Sequence, residues 1–189
     1  MYSCSCELRL ASLPRFLKTC PRCKCAFYEN SGCFRVNANG KRLDIWLICR
    51  CEHCKATWNL SIYERIDRAA LCTEDYRGYL ANDQALILRH IFDPAFLQKN
   101  CAVLDLDNLS LSLQGDLPPE GVAADVRIRS ECPLPIPAIR AIALTLGVPL
   151  SRVRRMQETG DLLFDGDLRK TKTGYGFAFT LAAGWQRNA

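Results

Sequence analysis

The chain has 189 residues, 49% hydrophobic and 24% charged, a balance that excludes an extensively disordered protein. Its longest uncharged stretch, 173–186, is shorter than the roughly 20 apolar residues of a membrane helix, so no membrane span is expected. Net charge is +5 and runs basic, acidic, basic: eleven Lys/Arg against five Asp/Glu in 1–65, six against eleven in 66–132, and eight against four in 133–189.

The first twenty residues mix Glu7, Arg9, Arg15 and Lys18 with no apolar run. No secretory leader is expected, and the predicted compartment is a reducing cytoplasm. Twelve cysteines stand out against that setting. In a reducing compartment, closely spaced cysteine pairs point to metal rather than to disulfides.

Taken in chain order, residues 34–38 alternate Phe34, Val36 and Ala38 with Arg35 and Asn37, which predicts a strand. Asn39-Gly40 predicts a tight hairpin turn, with 34–38 pairing 42–46. The return strand covers 43–49 and a third strand covers 57–63. Thr73 is the expected N-cap of a helix carrying Tyr76, Tyr79 and Leu80. Asp83 is the expected cap of a second helix burying Ile87, Leu88 and Ile91, stopped before Pro94. Short strands are predicted at 101–106 and 126–128, with a loop at 117–121.

Pro133, Pro135 and Pro137 predict a domain boundary. Ile139, Ile142, Ala143 and Leu146 then fall at helical spacing, closed by Gly147. Ser151 is the expected cap of a helix over 152–159, ended by Gly160. Strands at 162–164 and 177–181 follow, joined by the basic loop Arg169, Lys170, Thr171, Lys172. The fold class is α+β, in three parts: a zinc ribbon (1–66), an acidic helical and mixed middle (67–131), and a small C-terminal αβ module (132–189).

The chemistry concentrates at Cys20-Pro-Arg-Cys23 and Cys51-Glu-His-Cys54, two CxxC knuckles that bracket the hairpin. Two knuckles offer four thiolates to one ion, so Cys20, Cys23, Cys51 and Cys54 are the predicted ligands of a structural Zn²⁺. A closed four-sulfur shell leaves no position for an activated water, which argues against metal catalysis. Cys4 and Cys6 with Cys25, Cys33 or Cys49 form a less regular set that could serve a second ion. His53 is read as a solvated knuckle residue; Cys72, Cys101 and Cys132 are read as small core residues. No phosphate-binding glycine loop, HExxH or GxSxG motif is present, and a Cys–His nucleophile pairing such as Cys101 with His90 has no local support. No catalytic residue is assigned.

The run from Phe34 to Ile48, then Cys51 to Cys54 and Thr57-Trp58-Asn59, resembles a bacterial family known only as the ten-sixty-two domain of unknown function, best over 18–95. That resemblance implies a bacterial cytosolic protein and supplies no activity. The C-terminal segment resembles the S-four RNA-binding domain: Ser151-Arg152 stands nine residues before Gly160, and Leu162-Leu163-Phe164-Asp165-Gly166 follows. The resemblance implies that Arg152, Arg154, Arg155, Lys170 and Lys172 contact the phosphates of structured RNA, ribosomal or transfer. The expected function is a non-enzymatic zinc protein that binds structured RNA, with the ribosome as one expected place of action. The alternatives are a protein-interaction adaptor with a protein partner, and an uncharacterised enzyme.

Overall fold

A computed structural model describes residues 2–187. It is a mixed α+β structure with two five-stranded sheets. The chain forms two compact units: an inserted unit, Ser12–Leu109, and a framing unit made of the N-terminal residues to Ala11 with everything from Ser110 onward.

In the framing unit the sheet order is β7 (Leu111–Gly115), β1 (Tyr2–Leu10), β8 (Ala124–Pro137), β10 (Lys172–Leu181), β9 (Leu162–Leu163). β1 lies parallel to β8, and the other neighbours are antiparallel. β8 alternates without a break between buried and outward residues. Its core side, including Val126, Ile128, Cys132, Leu134 and Ile136, is buried. Helix α4 (Ala138–Leu146) packs against β8 and buries Ile139, Ile142 and Leu146; α5 (Leu150–Thr159) packs on α4 through Val153 and Met156.

In the inserted unit the sheet order is β5 (Thr57–Asp67), β4 (Arg42–Cys51), β3 (Phe27–Asn39), β2 (Phe16–Leu17), β6 (Val103–Leu104), antiparallel throughout. Helices α1 (Thr73–Ala81), α2 (Gln84–Ile91) and α3 (Pro94–Lys99) are pinned to it by two asparagines. Asn82 ends α1 at φ 56° and accepts the Phe34 N–H at 2.7 Å. Asn100 exchanges hydrogen bonds with Ser61, 2.6 and 3.0 Å.

The boundaries expected at 66/67 and 131/132 are not where the chain divides. β5 runs through Asp67, and β8 runs through the three prolines. Proline is tolerated there because β1 stops pairing at Ser130, leaving that side of β8 free of ladder bonds, and the prolines sit on its outward positions. The acidic middle is split between the units. The inserted unit keeps fourteen Lys/Arg against eleven Asp/Glu, and the framing unit eleven against nine.

The hairpin forms one residue out of the expected register: Asn39 pairs Arg42, so the two-residue loop is Gly40-Lys41, with Gly40 at φ 60°. Glycine at the first loop position is the type II′ arrangement rather than the Asn-Gly type I′. Cys72, not Thr73, caps α1, its sulfur accepting the Asp75 N–H. The helix turns Tyr79 inward and leaves Leu80 exposed. Pro149 occupies the N-cap of α5, which places Ser151 inside the first turn.

Tyr79 is fully buried among Phe34, Tyr63 and His90, and its hydroxyl shares a 2.7 Å hydrogen bond with His90 Nε2. Burial, then the Arg89 cation, pushes His90 down to about 4. The folded state therefore prefers neutral imidazole, and its contribution is present above the unfolded value near 6.5 and lost as pH falls toward 4. Between pH 8 and 5 this group should remove about 2 kcal/mol of stability. Urea unfolding of the parent and of His90→Gln over that range checks it: the glutamine variant should lose less, and parallel curves would show that His90 does not titrate on unfolding.

Candidate metal centre

Cys20 follows β2 and Cys23 precedes β3; Cys51 closes β4 and Cys54 precedes β5. The β3–β4 ladder pairs Tyr28 with Cys51, which carries the two segments to one end of the sheet. There the four sulfurs all lie within 4.8 Å of one another, with Cys20–Cys54 at 3.6 Å and Cys23–Cys51 at 3.5 Å. Tetrahedral metal–thiolate bonds of about 2.3 Å separate sulfurs by about 3.8 Å, so the set fits one ion. Cys20 and Cys51 are buried, and Cys23 and Cys54 half-buried.

The two knuckles have the same backbone geometry. Cys20 N–H donates to the Cys25 carbonyl and Lys24 N–H to the Cys20 carbonyl; Cys51 N–H donates to the Ala56 carbonyl and Lys55 N–H to the Cys51 carbonyl. Lys24 and Lys55 both take the left-handed conformation, at φ 65° and 58°. Each first cysteine also accepts amides from inside its own turn: Arg22 and Cys23 for Cys20, His53 and Cys54 for Cys51. The repeat is thus Cys-x-x-Cys-Lys. Its shared lysine marked the equivalence in the sequence, although glycine is the residue that this conformation favours.

Electrostatics favour thiolates unequally. A hydrogen bond from Tyr28 lowers Cys20 to about 6. At Cys51 burial opposes ionisation, yet the Cys54 and His53 amides hold the thiol below its ordinary value. At Cys23 the Cys25 amide favours thiolate, but burial and the neighbouring sulfurs push it up to about 12. Four like charges this close cannot coexist without a cation. Tyr28, 2% exposed, supports the set from beneath; the sequence reading missed it because it looks like any strand aromatic. Arg15 is the second such residue. Its guanidinium lies 3.9 Å over the Phe27 ring, donates to buried Asp105 at 2.8 Å, and reaches Glu52 inside the second knuckle at 3.4 Å.

The other cysteines separate from this set. Cys25 occupies the place of Ala56 in the knuckle repeat and supplies a carbonyl. Cys49 is buried, its thiol pushed up to about 12 by burial, and Cys33 is exposed. Cys4 and Cys6 belong to β1 of the framing unit, where the Cys6 thiol donates to the Asp116 carbonyl. The described residues hold one metal-capable cluster. Cys72 and Cys101 are exposed rather than core residues; Cys132 is buried and His53 exposed. His90 is engaged by Tyr79, not by Cys101.

The basic residues expected to meet phosphates all lie in the framing unit. Arg154 and Arg155 are exposed on α5, and neither forms a side-chain hydrogen bond or ion pair among the described residues. Arg152 is half-buried and donates twice to the Gln186 carbonyl, at 2.7 and 3.2 Å. Lys170 lies 3.7 Å from Asp167, and Lys172 opens β10 fully exposed. Asp167 accepts the Arg169 and Lys170 amides, which hold its carboxyl below the usual range and order the loop around a negative charge.

Residues 36–167 match the family described as "Protein of unknown function (DUF1062)", well over half of the chain. The match includes Cys51 and Cys54 and begins after Cys20 and Cys23. It also runs through β8, α4 and α5, beyond residues 18–95, where the resemblance is best. No curated protein and no solved structure matches the chain. Among the described residues no helix is long and apolar enough to cross a membrane.

The knuckle backbone makes its own prediction. Lys24→Gly relieves a left-handed residue without touching a ligand, and should stabilise the metal-loaded protein by about 0.5–1 kcal/mol after glycine's greater unfolded entropy is counted. Urea denaturation measures this. A loss of stability would show that the Lys24 side chain, rather than its backbone, serves the site.

Proposed function

The chain belongs to the DUF1062 family, and from that starting point we propose that it is a non-enzymatic protein in which a zinc-thiolate centre of the ribbon type shapes the inserted unit while the framing unit binds structured RNA. The zinc reading rests on four cysteine sulfurs at tetrahedral spacing with no fifth ligand position. In such a shell zinc supplies cross-linking rather than chemistry, because no water can bind it. The RNA reading rests on one observation above others: Arg154 and Arg155 stand on the solvent face of α5, unpaired among the described residues, while Val153 and Met156 hold that helix from its buried face. The strand pair β9–β10 follows the helix, the order an S-four-like module requires.

A second reading has its own observation. Between α4 and α5 a cavity of about 560 Å³ is lined by Ala143, Leu144, Val148 and Leu150. Leu144 and Leu150 each remain 42% exposed, and apolar surface of this kind suits a protein adaptor.

Zinc is checked by metal analysis of protein purified without chelator. One zinc per chain is expected, with Cys51→Ser losing the metal and loosening the β3–β4 hairpin; a ratio near zero would refute the centre. RNA is checked by filter binding to ribosomal and transfer RNA over a salt series. Arg154→Ala with Arg155→Ala should weaken binding and flatten the log–log salt slope by about 1.5–2, while leaving the fold intact. Arg152→Ala should act differently, costing about 1 kcal/mol of stability through its lost bonds to the Gln186 carbonyl. No binding at low salt, or a double variant as tight as the parent, makes the adaptor the better account.

A further inference from the structure

Far from the four cysteines, at the β3–β4 tip, the inserted unit encloses a second feature that neither zinc nor RNA accounts for. A cavity of about 630 Å³ lies between the Gly40-Lys41 loop, the short 3₁₀ helix Arg68–Ala70 and the start of α1. Gly40 leaves its side of the cavity open, since nothing lies within 4 Å of the position a Cβ would take.

The chain is bent to make this space. β5 carries an extra residue opposite Leu43–Ile45, a bulge at which Arg65 takes φ 53°. The bulge is fixed from both sides: Arg65 N–H donates to Asp44 at 2.8 Å, and its carbonyl accepts from the Arg42 guanidinium at 2.9 Å. Non-glycine residues in this conformation are strained and cluster at functional sites, as do bulges. Beyond it, Asp67 caps the 3₁₀ helix by accepting the Ala69 N–H, and Arg68 N–H closes onto the Lys41 carbonyl at 2.9 Å.

Two cations face the cavity. Lys41 is on the loop, and the Arg68 guanidinium is stacked 4.7 Å over the Tyr76 ring. Among the described residues neither has an ion-pair partner within salt-bridge distance; Asp67, the one carboxylate in the lining, accepts the Ala69 N–H through one oxygen. Stacking fixes the plane of the guanidinium and leaves its edge donors for an oxyanion, to which arginine binds in bidentate fashion. Ala69, Leu71 and Tyr76 supply the apolar remainder of the lining. The space is larger than an inorganic anion needs, and half of its chemistry is apolar.

We propose that this cavity is a binding site for a small organic phosphate, its phosphoryl oxygens held by Lys41 and Arg68 and its body lying on Leu71 and Tyr76. The site is independent of the metal ligands and of the α5 arginines.

The experiment is a calorimetric titration of the full metal-loaded chain with AMP, adenosine and inorganic phosphate as probes. AMP should bind with a Kd below about 1 mM. Adenosine and inorganic phosphate should each bind at least about tenfold more weakly, since each lacks one half of the contacts. Lys41→Ala and Arg68→Ala should each weaken AMP about tenfold without lowering the melting temperature. Arg68→Lys should fall between parent and alanine, because it keeps the charge and loses the stacked fork. Arg154→Ala should change nothing. Absence of AMP binding at 5 Kd of the expected limit, adenosine binding as well as AMP, or AMP binding indifferent to Lys41 and Arg68 would each overturn the proposal.

Discussion

Four sulfurs brought within 4.8 Å of one another set the terms for the inserted unit. Two thiolates about 4 Å apart repel by about 4 kcal/mol at an effective dielectric of 20. The cluster therefore exists either with protons on most of its sulfurs or around a cation. The backbone has prepared for the second state: amides of Arg22, Cys23, His53 and Cys54 and the Tyr28 hydroxyl all point hydrogen toward sulfur, which is useful only to thiolates. Two lysines held in left-handed geometry are the conformational cost of that preparation, and a metal cross-link would supply what a small sheet edge cannot gain from burial alone.

The framing unit depends on the opposite kind of contact. β1 pairs with β7 and β8, more than a hundred residues away, with the whole inserted unit in between. Closing a loop of that length costs only logarithmically more than closing a short one, so such an insertion is tolerated thermodynamically. It does slow folding, because non-local pairing must wait for that closure. Within the inserted unit β3, β4 and β5 meet no such delay, since a two-residue loop and a knuckle join them, whereas β6 returns to pair with β2 across nearly the whole unit.

The elements that were legible in the sequence were those with local causes. Asp83 before an apolar period marks α2, Gly147 and Gly160 close α4 and α5, and the CxxC pairs mark where the sulfurs converge. The elements that were misread depend on distant partners. Nothing local tells Tyr2–Leu10 that it is an inner strand of a sheet built from the other end of the chain. The three prolines read as a boundary because proline lacks a donor; the structure uses them where β1 has ended and no donor is wanted. The turn slipped by one residue because Asn39-Gly40 carries the stronger local signal, while the alternation of Leu43, Ile45 and Leu47 toward the core fixes the register. Tyr28, Arg15 and the second-knuckle Glu52 act on the centre only through folding, so their roles had no sequence signature.

The two candidate sites of the inserted unit stand at opposite ends of one hairpin. Cys51 pairs with Tyr28 at the cysteine end, and Arg42 pairs with Asn39 at the tip. The nine residue steps of β4 from Arg42 to Cys51 span about 30 Å at about 3.3 Å per residue. What holds the tip is not the sulfurs: Asn82 binds the Phe34 amide, Phe34 packs on Tyr79, and Arg68 closes onto Lys41. What holds the cysteine end is Arg15 with Asp105 and Lys18 over Trp58, together with any ion that the four sulfurs could share. Local stability follows local contacts, so the two ends open with separate free energies. The cysteine cluster at its base and the aromatic cluster at its middle are thus separate anchors, and the ladder carries one end's order to the other only as far as its backbone bonds stay closed.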